Sequence, residues 1–190
     1  MNMIEQIIVV LGISLEVFGV MECQGSLMAK IEKKQLITFC SILAVGQTVT
    51  LGIGHFLPRF LSRYRVQTED NFLGQAIAAV ILLSLGIRLF HKAWKNEGLV
   101  ERREEKFEIK RFLGMYLGNI LFTFLAGIAL GFLGSSILPL LIVGFVLTIL
   151  VTVVGMYTGY RLGFEYKMRA YVFGGLLLVA GGAGVVFGYM

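Results

Sequence analysis

LGISLEVFGVMECQG, residues 11–25, is an apolar run with a carboxylate, Glu16, set in its middle. A charge at mid-bilayer costs roughly 2.5–3.5 kcal/mol on insertion scales, so an acid there faces a bundle interior or a wet cavity. The apolar run reaches well beyond both ends of this stretch. The opening MNMIEQIIVVLGISLEVFG has no basic n-region and continues into a full span over 6–28, so it reads as a membrane helix rather than a cleaved leader.

Five more runs of this kind follow, at 35–57, 72–91, 112–133, 136–160 and 169–189. Each is close to the ~20 residues a helix needs to cross ~30 Å of hydrocarbon. The 190 residues are 57% hydrophobic and only 15% charged, with a mean hydropathy of +0.82. That balance excludes an ordinary soluble domain. The predicted class is an all-α membrane protein, a single membrane domain over 1–190 with six transmembrane helices.

The charged residues gather between the runs. Loops one, three and five hold thirteen of the 17 Lys and Arg residues: Lys30, Lys33, Lys34; Lys92, Lys95, Arg102, Arg103, Lys106, Lys110, Arg111; Arg161, Lys167, Arg169. Loop two holds Arg59, Arg63 and Arg65, and Arg88 closes span three. The positive-inside bias puts loops one, three and five in the cytoplasm and both termini outside. These bases therefore set topology and meet anionic lipid. With no basic stripe on a soluble module, a nucleic-acid partner is not expected; the partner is the bilayer itself.

The longest connection, at 92–111, is a charged cytoplasmic hinge that divides the spans into three and three, 6–91 and 112–189. An odd number of spans per half makes the second half enter from the opposite side, so the two are read as inverted three-helix repeats. Span three, with LLSLGIRLF, resembles span six, with LLVAGGAGVVF. GxxxG spacings at 114–118, 127–131 and 155–159 let backbones approach closely. They suit packing within one chain or against a second copy in a homodimer.

Glu16 is the first candidate ligand for a cation. At 100° per residue it shares a face with Gly12, Ile13, Gly19, Val20 and Cys23, and the two glycines leave room for a helix or a hydrated ion. The alternative is a protonated acid that fixes packing register. Gln47, midway along span two beside Thr48 and Thr50, offers a carbonyl oxygen to a cation or to a neighbouring helix. Asn119 and Thr123 are four apart and share a face of span four. Thr148 and Thr152 repeat that spacing, but threonine readily bonds its own helix. Glu22 and Gln24 read as solvated residues at the cytoplasmic end of span one, His55 as a structural residue near the outer end of span two, and Arg88 as snorkelling to the headgroups. Cys23 and Cys40 read as small apolar residues in a helix interface, with a soft-metal pair as the alternative. No nucleophile elbow, phosphate loop or zinc signature is present, so neither an enzyme nor a cofactor is expected.

LGISLEVFGV, ILAVGQTVTLGIGHFLPRF and VVGMYTGYRLG followed by FGGLLLVAGG together resemble the MntP-type manganese efflux pumps, a family of the LysE-like group of small six-span transporters. The likeness runs across nearly the whole chain. It implies an inverted-repeat exporter of Mn²⁺ from the bacterial cytoplasm, seated in the inner membrane. The family has an Asp in a Ser-x-Asp-Ala-like motif in span one; Ser14-Leu15-Glu16-Val17 keeps the serine and a carboxylate one methylene longer. Where the family has a Glu in span two this chain has Gln47, and where it has a second Asp in span four this chain has Phe122.

The expectation is a cation transporter with a midplane site of Glu16, Gln47, Asn119 and Thr123, with Glu16 as the metal ligand, worked by alternating access. Mn²⁺ prefers carboxylate, carbonyl and water oxygens. Glu16 alone leaves a net +1 on it, because amide and hydroxyl oxygens solvate an ion without cancelling its charge. Two alternatives follow: an exporter of another cation, and a transport-inactive relative acting as a membrane scaffold or accessory subunit.

Overall fold

The computed structural model describes residues 3–28, 30–62, 71–95, 109–163 and 165–187. The described residues form six helices: α1 Met3–Leu27, α2 Lys33–Ser62, α3 Asn71–Trp94, α4 Ile109–Phe132, α5 Ile137–Leu162 and α6 Glu165–Phe187. All six contain a stretch long and apolar enough to cross a membrane. The protein is an all-α, multi-pass membrane protein. Most of the 92–111 hinge, residues 96–108, lies outside the described residues, as do Arg63 and Arg65 of loop two.

Helix ends depart from the predicted spans where polar residues join a helix. α3 runs on through His91 and Lys92 to Trp94, and α6 starts four residues before 169, at Glu165. Lys92, Lys167 and Arg169, counted above with the loops, are therefore helical. Two glycines make the tight connections between helices. Gly134 (φ +62°) turns the chain between α4 and α5, and Gly163 (φ +74°) ends α5. Both adopt a left-handed backbone, which costs little only without a Cβ.

Lipid is as apolar as leucine, so helices associate here through close packing rather than exclusion from solvent. Backbones meet at glycine. A Cβ on Gly155 of α5 would lie 2.9 Å from the Phe18 carbonyl oxygen of α1. One on Gly54 of α2 would meet the Phe124 carbonyl oxygen of α4. Gly25 of α1 faces the Met156 carbonyl of α5, and Gly131 of α4 faces the His55 carbonyl of α2. Gly86 of α3 and Gly175 of α6 face each other reciprocally, at 3.0 and 3.1 Å from the opposite carbonyl oxygen.

These contacts come in matched pairs. A displacement of 106 positions carries Phe18 to Phe124 and Gly25 to Gly131; one of 101 carries Gly54 to Gly155 and His55 to Met156. The extensive helix packings are α1·α5, α1·α6, α1·α4, α2·α4, α2·α5, α3·α4 and α3·α6. Exchanging α1 with α4, α2 with α5 and α3 with α6 leaves that set unchanged. Every one of these pairs joins a helix of 6–91 to a helix of 112–189. The α3–α6 match sits on Gly86 and Gly175, six residues away from the register suggested by LLSLGIRLF and LLVAGGAGVVF.

The GxxxG spacings divide accordingly. Gly127 and Gly131 press on α2 and Gly155 and Gly159 press on α1, whereas a Cβ on Gly114 would meet no atom of another element within 4 Å among the described residues. Gly155→Leu should therefore push α1 and α5 apart, at an overpacking cost of about 1–3 kcal/mol. Gly114→Leu should leave stability unchanged or slightly raised, and thermal unfolding of the two variants in the same detergent distinguishes these outcomes.

Candidate ion-binding site

Glu16 lies midway along α1, with none of its surface exposed. Lys92, two residues before the end of α3, forms an ion pair with Glu16 Oε1. The same ammonium lies 5.7 Å from the centre of the Tyr171 ring on α6, within cation–π range. Arg88, one turn earlier on α3, is near enough to act on the carboxylate electrostatically. Its guanidinium lies over the Phe122 ring of α4 at 5.6 Å rather than out among headgroups. One acid is thus matched against two bases. The other carboxylate oxygen, Oε2, is buried without a hydrogen-bond partner among the described residues.

The room beside Glu16 is taken by α6. A Cβ on Gly19 would lie 2.7 Å from Tyr171 Cζ, and one on Gly12 would lie 2.8 Å from Leu178 Cγ. The glycines around the acid thus admit a neighbouring helix. Phe122 stands 106 positions after Glu16, the displacement that relates α1 to α4 throughout, so it occupies the matching place in the second half.

Gln47 is buried on α2, and its Oε1 lies 2.9 Å from the Thr148 hydroxyl of α5. That hydroxyl also lies 2.7 Å from the Gly144 carbonyl oxygen of its own helix. Thr148 stands 101 positions after Gln47, so this pair straddles the exchange of α2 with α5. On α4 the Thr123 hydroxyl donates to Asn119 Oδ1 at 3.1 Å, and both side chains are buried. All four predicted residues face the bundle interior. Among the described residues, no hydrogen bond links Glu16 to Gln47, Asn119 or Thr123. Nor does any group of three or more His, Cys, Asp or Glu side chains suit a metal ion.

Two expectations at the ends of the bundle change, those for Glu22 and Gln24. Glu22 is fully buried rather than solvated, and its Oε1 accepts the Tyr166 backbone N–H at 2.9 Å. A carboxylate at the start of α6 is favoured by the helix dipole. Gln24 is buried beside it. His55 is buried, with Nδ1 3.4 Å from Ser135 Oγ in the α4–α5 turn. Cys23 is buried on α1 and Cys40 is partly buried on α2.

Lys92 and Tyr171 are the residues around Glu16 that spacing alone did not single out, whereas Thr148 shares its spacing with Thr152 and makes both the expected bond to its own helix and one to Gln47. A signal for Lys92 was present: it follows Arg88 by four residues, so the two bases share one face of α3.

A family model described as "Putative manganese efflux pump" (Mntp) matches residues 30–186. That match spans α2 to α6 and leaves out α1, which carries Glu16. Individual relatives extend over the whole chain. A protein named "Putative manganese efflux pump MntP" from Acetivibrio thermocellus is 23% identical over 190 residues, covering 100% of this chain and 93% of the relative. Proteins of the same name from Photorhabdus laumondii and Methylobacillus flagellatus are each 24% identical over 100% of this chain, covering 96% and 98% of the relatives. No solved structure matches the chain.

The Gln47–Thr148 contact joins two helices by side chains alone. Thr148→Val should lower stability by about 0.6–1.7 kcal/mol, the range of interhelical hydrogen bonds in membranes. Adding Gln47→Leu to that variant should cost less than Gln47→Leu does in the wild type. A double-mutant cycle on unfolding in detergent reads the coupling.

Proposed function

The chain belongs to the Mntp family, and from that premise we propose that it exports Mn²⁺ across the bacterial cytoplasmic membrane, with both termini outside. The observation that carries the reading is Glu16 Oε2, an orphaned carboxylate oxygen in the middle of a membrane helix. A buried acceptor of this kind calls for a proton, a water or a cation. Mn²⁺ takes carboxylate, amide and hydroxyl oxygens. Glu16 is the charged ligand in this reading, and Gln47, Asn119 and Thr123 supply neutral oxygens along the path.

The spans 6–91 and 112–189 act as inverted repeats, supported by a set of helix packings that survives their exchange. The moving bodies are grouped otherwise. Since the extensive packings all cross between repeats, rocking one repeat against the other would disrupt every one of them. Grouping α1 with α5 and α6, and α4 with α2 and α3, keeps four packings intact and leaves α1·α4, α2·α5 and α3·α6 as the sliding surfaces. Alternating access then runs along surfaces that carry Gln47–Thr148 and Gly86–Gly175, while the Glu16–Lys92 ion pair ties α1 of one group to α3 of the other.

A second reading has its own support. Glu16 is sealed from solvent by Lys92 and Tyr171, which suits a transport-inactive scaffold as well as an occluded carrier. Growth under Mn²⁺ stress separates them, in a bacterium lacking its own manganese exporter and at matched expression. The wild-type chain should restore growth and lower cell manganese, and Glu16→Gln should do neither. Failure of the wild type at good expression favours the scaffold.

A further inference from the structure

Lys92 sets the charge of the site, and nothing in the family description concerns it. Its ammonium holds the oxygen that a cation would take, and it does so from α3, across the surface between the two moving groups. The two partners differ in their exposure at the surface of the bundle. Glu16 has no exposed surface, whereas 32% of the Lys92 side chain is exposed. Lys92 stands in the last turn of α3, next to exposed His91, Trp94 and Lys95. A flexible four-carbon stem in that position can carry the ammonium out to water without moving a helix. Tyr171 gives it a second, weaker partner, because the aromatic face attracts a cation without bonding it.

We propose that the Lys92 ammonium is an internal substitute for the transported cation. It neutralises Glu16 while the carrier is empty and is displaced toward cytoplasmic water when an ion arrives. This rests on the reading of the chain as a cation exporter and adds to it how the empty carrier returns. A carboxylate oxygen with no bonded donor would oppose the return through the membrane, since Arg88 lies over Phe122 rather than on Glu16, and Lys92 satisfies that oxygen with no proton taken from either side. Displacement is a simple exchange of one cation for another at one carboxylate: no covalent bond changes, and the released ammonium stays protonated. The bound ion must also face Arg88, whose guanidinium remains over Phe122. With one base to displace and another to tolerate, the site binds a divalent ion weakly. The carrier therefore fills only when cytoplasmic Mn²⁺ is in excess.

The test is Mn²⁺ binding to the full chain in lipid nanodiscs, read as loss of the spectrum of free aqueous Mn²⁺ by electron paramagnetic resonance. Lys92→Gln should bind at least ten-fold more tightly than the wild type, Lys92→Arg should match the wild type, and Glu16→Gln/Lys92→Gln should lose the gain. In cells, Lys92→Gln should export less Mn²⁺ despite the tighter binding, a split that loss of packing alone would not produce. If Lys92→Gln binds no more tightly while Glu16→Gln still weakens the wild type, the substitution role is overturned and the exporter reading stands. If Glu16→Gln is silent in the wild type and Lys92→Gln gains nothing, both are overturned. A gain that survives loss of Glu16 also overturns the proposal. A second measurement needs no variant: Mn²⁺ should raise amine labelling of Lys92 in the wild type at least three-fold, and unchanged labelling overturns the displacement.

Discussion

A carboxylate inside a bilayer must find a proton, a cation or a hydrogen-bond donor, because hydrocarbon supplies none of them. In this chain Glu16 is met by Lys92, and much of the surrounding structure serves that meeting. α3 has to continue as a helix past the end of its apolar run so that residue 92 can reach back toward α1. Gly19 has to lack a side chain so that Tyr171 can lie against α1 and beside Lys92. α6 has to approach α1 at Gly12 and Gly174, where each glycine's missing Cβ would come within 3.1 Å of the opposite carbonyl oxygen. The ion pair depends on α1, α3 and α6 together, so it reports their relative positions.

The remaining helices follow from matched backbone contacts. Phe18 with Gly155 and Phe124 with Gly54 are one contact made twice, as are Gly25 with Met156 and Gly131 with His55. Duplication is not complete at the charged positions. Where the first half has Glu16 the second has Phe122, and where α2 has Gln47 the α5 counterpart is Thr148. The backbone tolerates such change because helix approach is decided by small residues, which recur, while the polar groups between helices answer to charge balance. Arg88 over Phe122 shows the result, since an aromatic face accepts a cation where an acid would otherwise lie.

The spans were readable because a run of about twenty apolar residues has few other uses. Glu16, Gln47, Asn119 and Thr123 were readable as interior residues because a polar group facing lipid goes unsatisfied. Their partners were less legible, for two separate reasons. Lys92 carries a charge that orients a membrane protein from a loop and pairs with an acid from a helix, and its position within two residues of a helix end admits both uses. Glu22 lies near the end of α1 like a solvated residue, but its burial depends on where α6 begins, and the Tyr166 N–H that it accepts is 144 positions away. Helix register between distant spans is a property of three-dimensional packing. The internal likeness of spans three and six, offset by six residues from the Gly86–Gly175 contact, shows how weakly a run of Leu and Gly encodes it.

Charge balance then constrains what the site can carry. Glu16 contributes one negative charge against Lys92 and Arg88, so the empty site is already net positive. Adding a divalent ion with both bases in place would bring three uncompensated positive charges into a low dielectric, where Coulomb repulsion is screened far less than in water. In the proposed exchange, removing Lys92 to water lowers that to two, and the neutral oxygens of the expected ligands Gln47, Asn119 and Thr123 would spread what remains without cancelling it. The partly exposed lysine is the element of this cluster placed to make that change, because Arg88 is held over Phe122 and Glu16 is fully buried. A site with a single acid can thus accept a cation only by releasing one of its own.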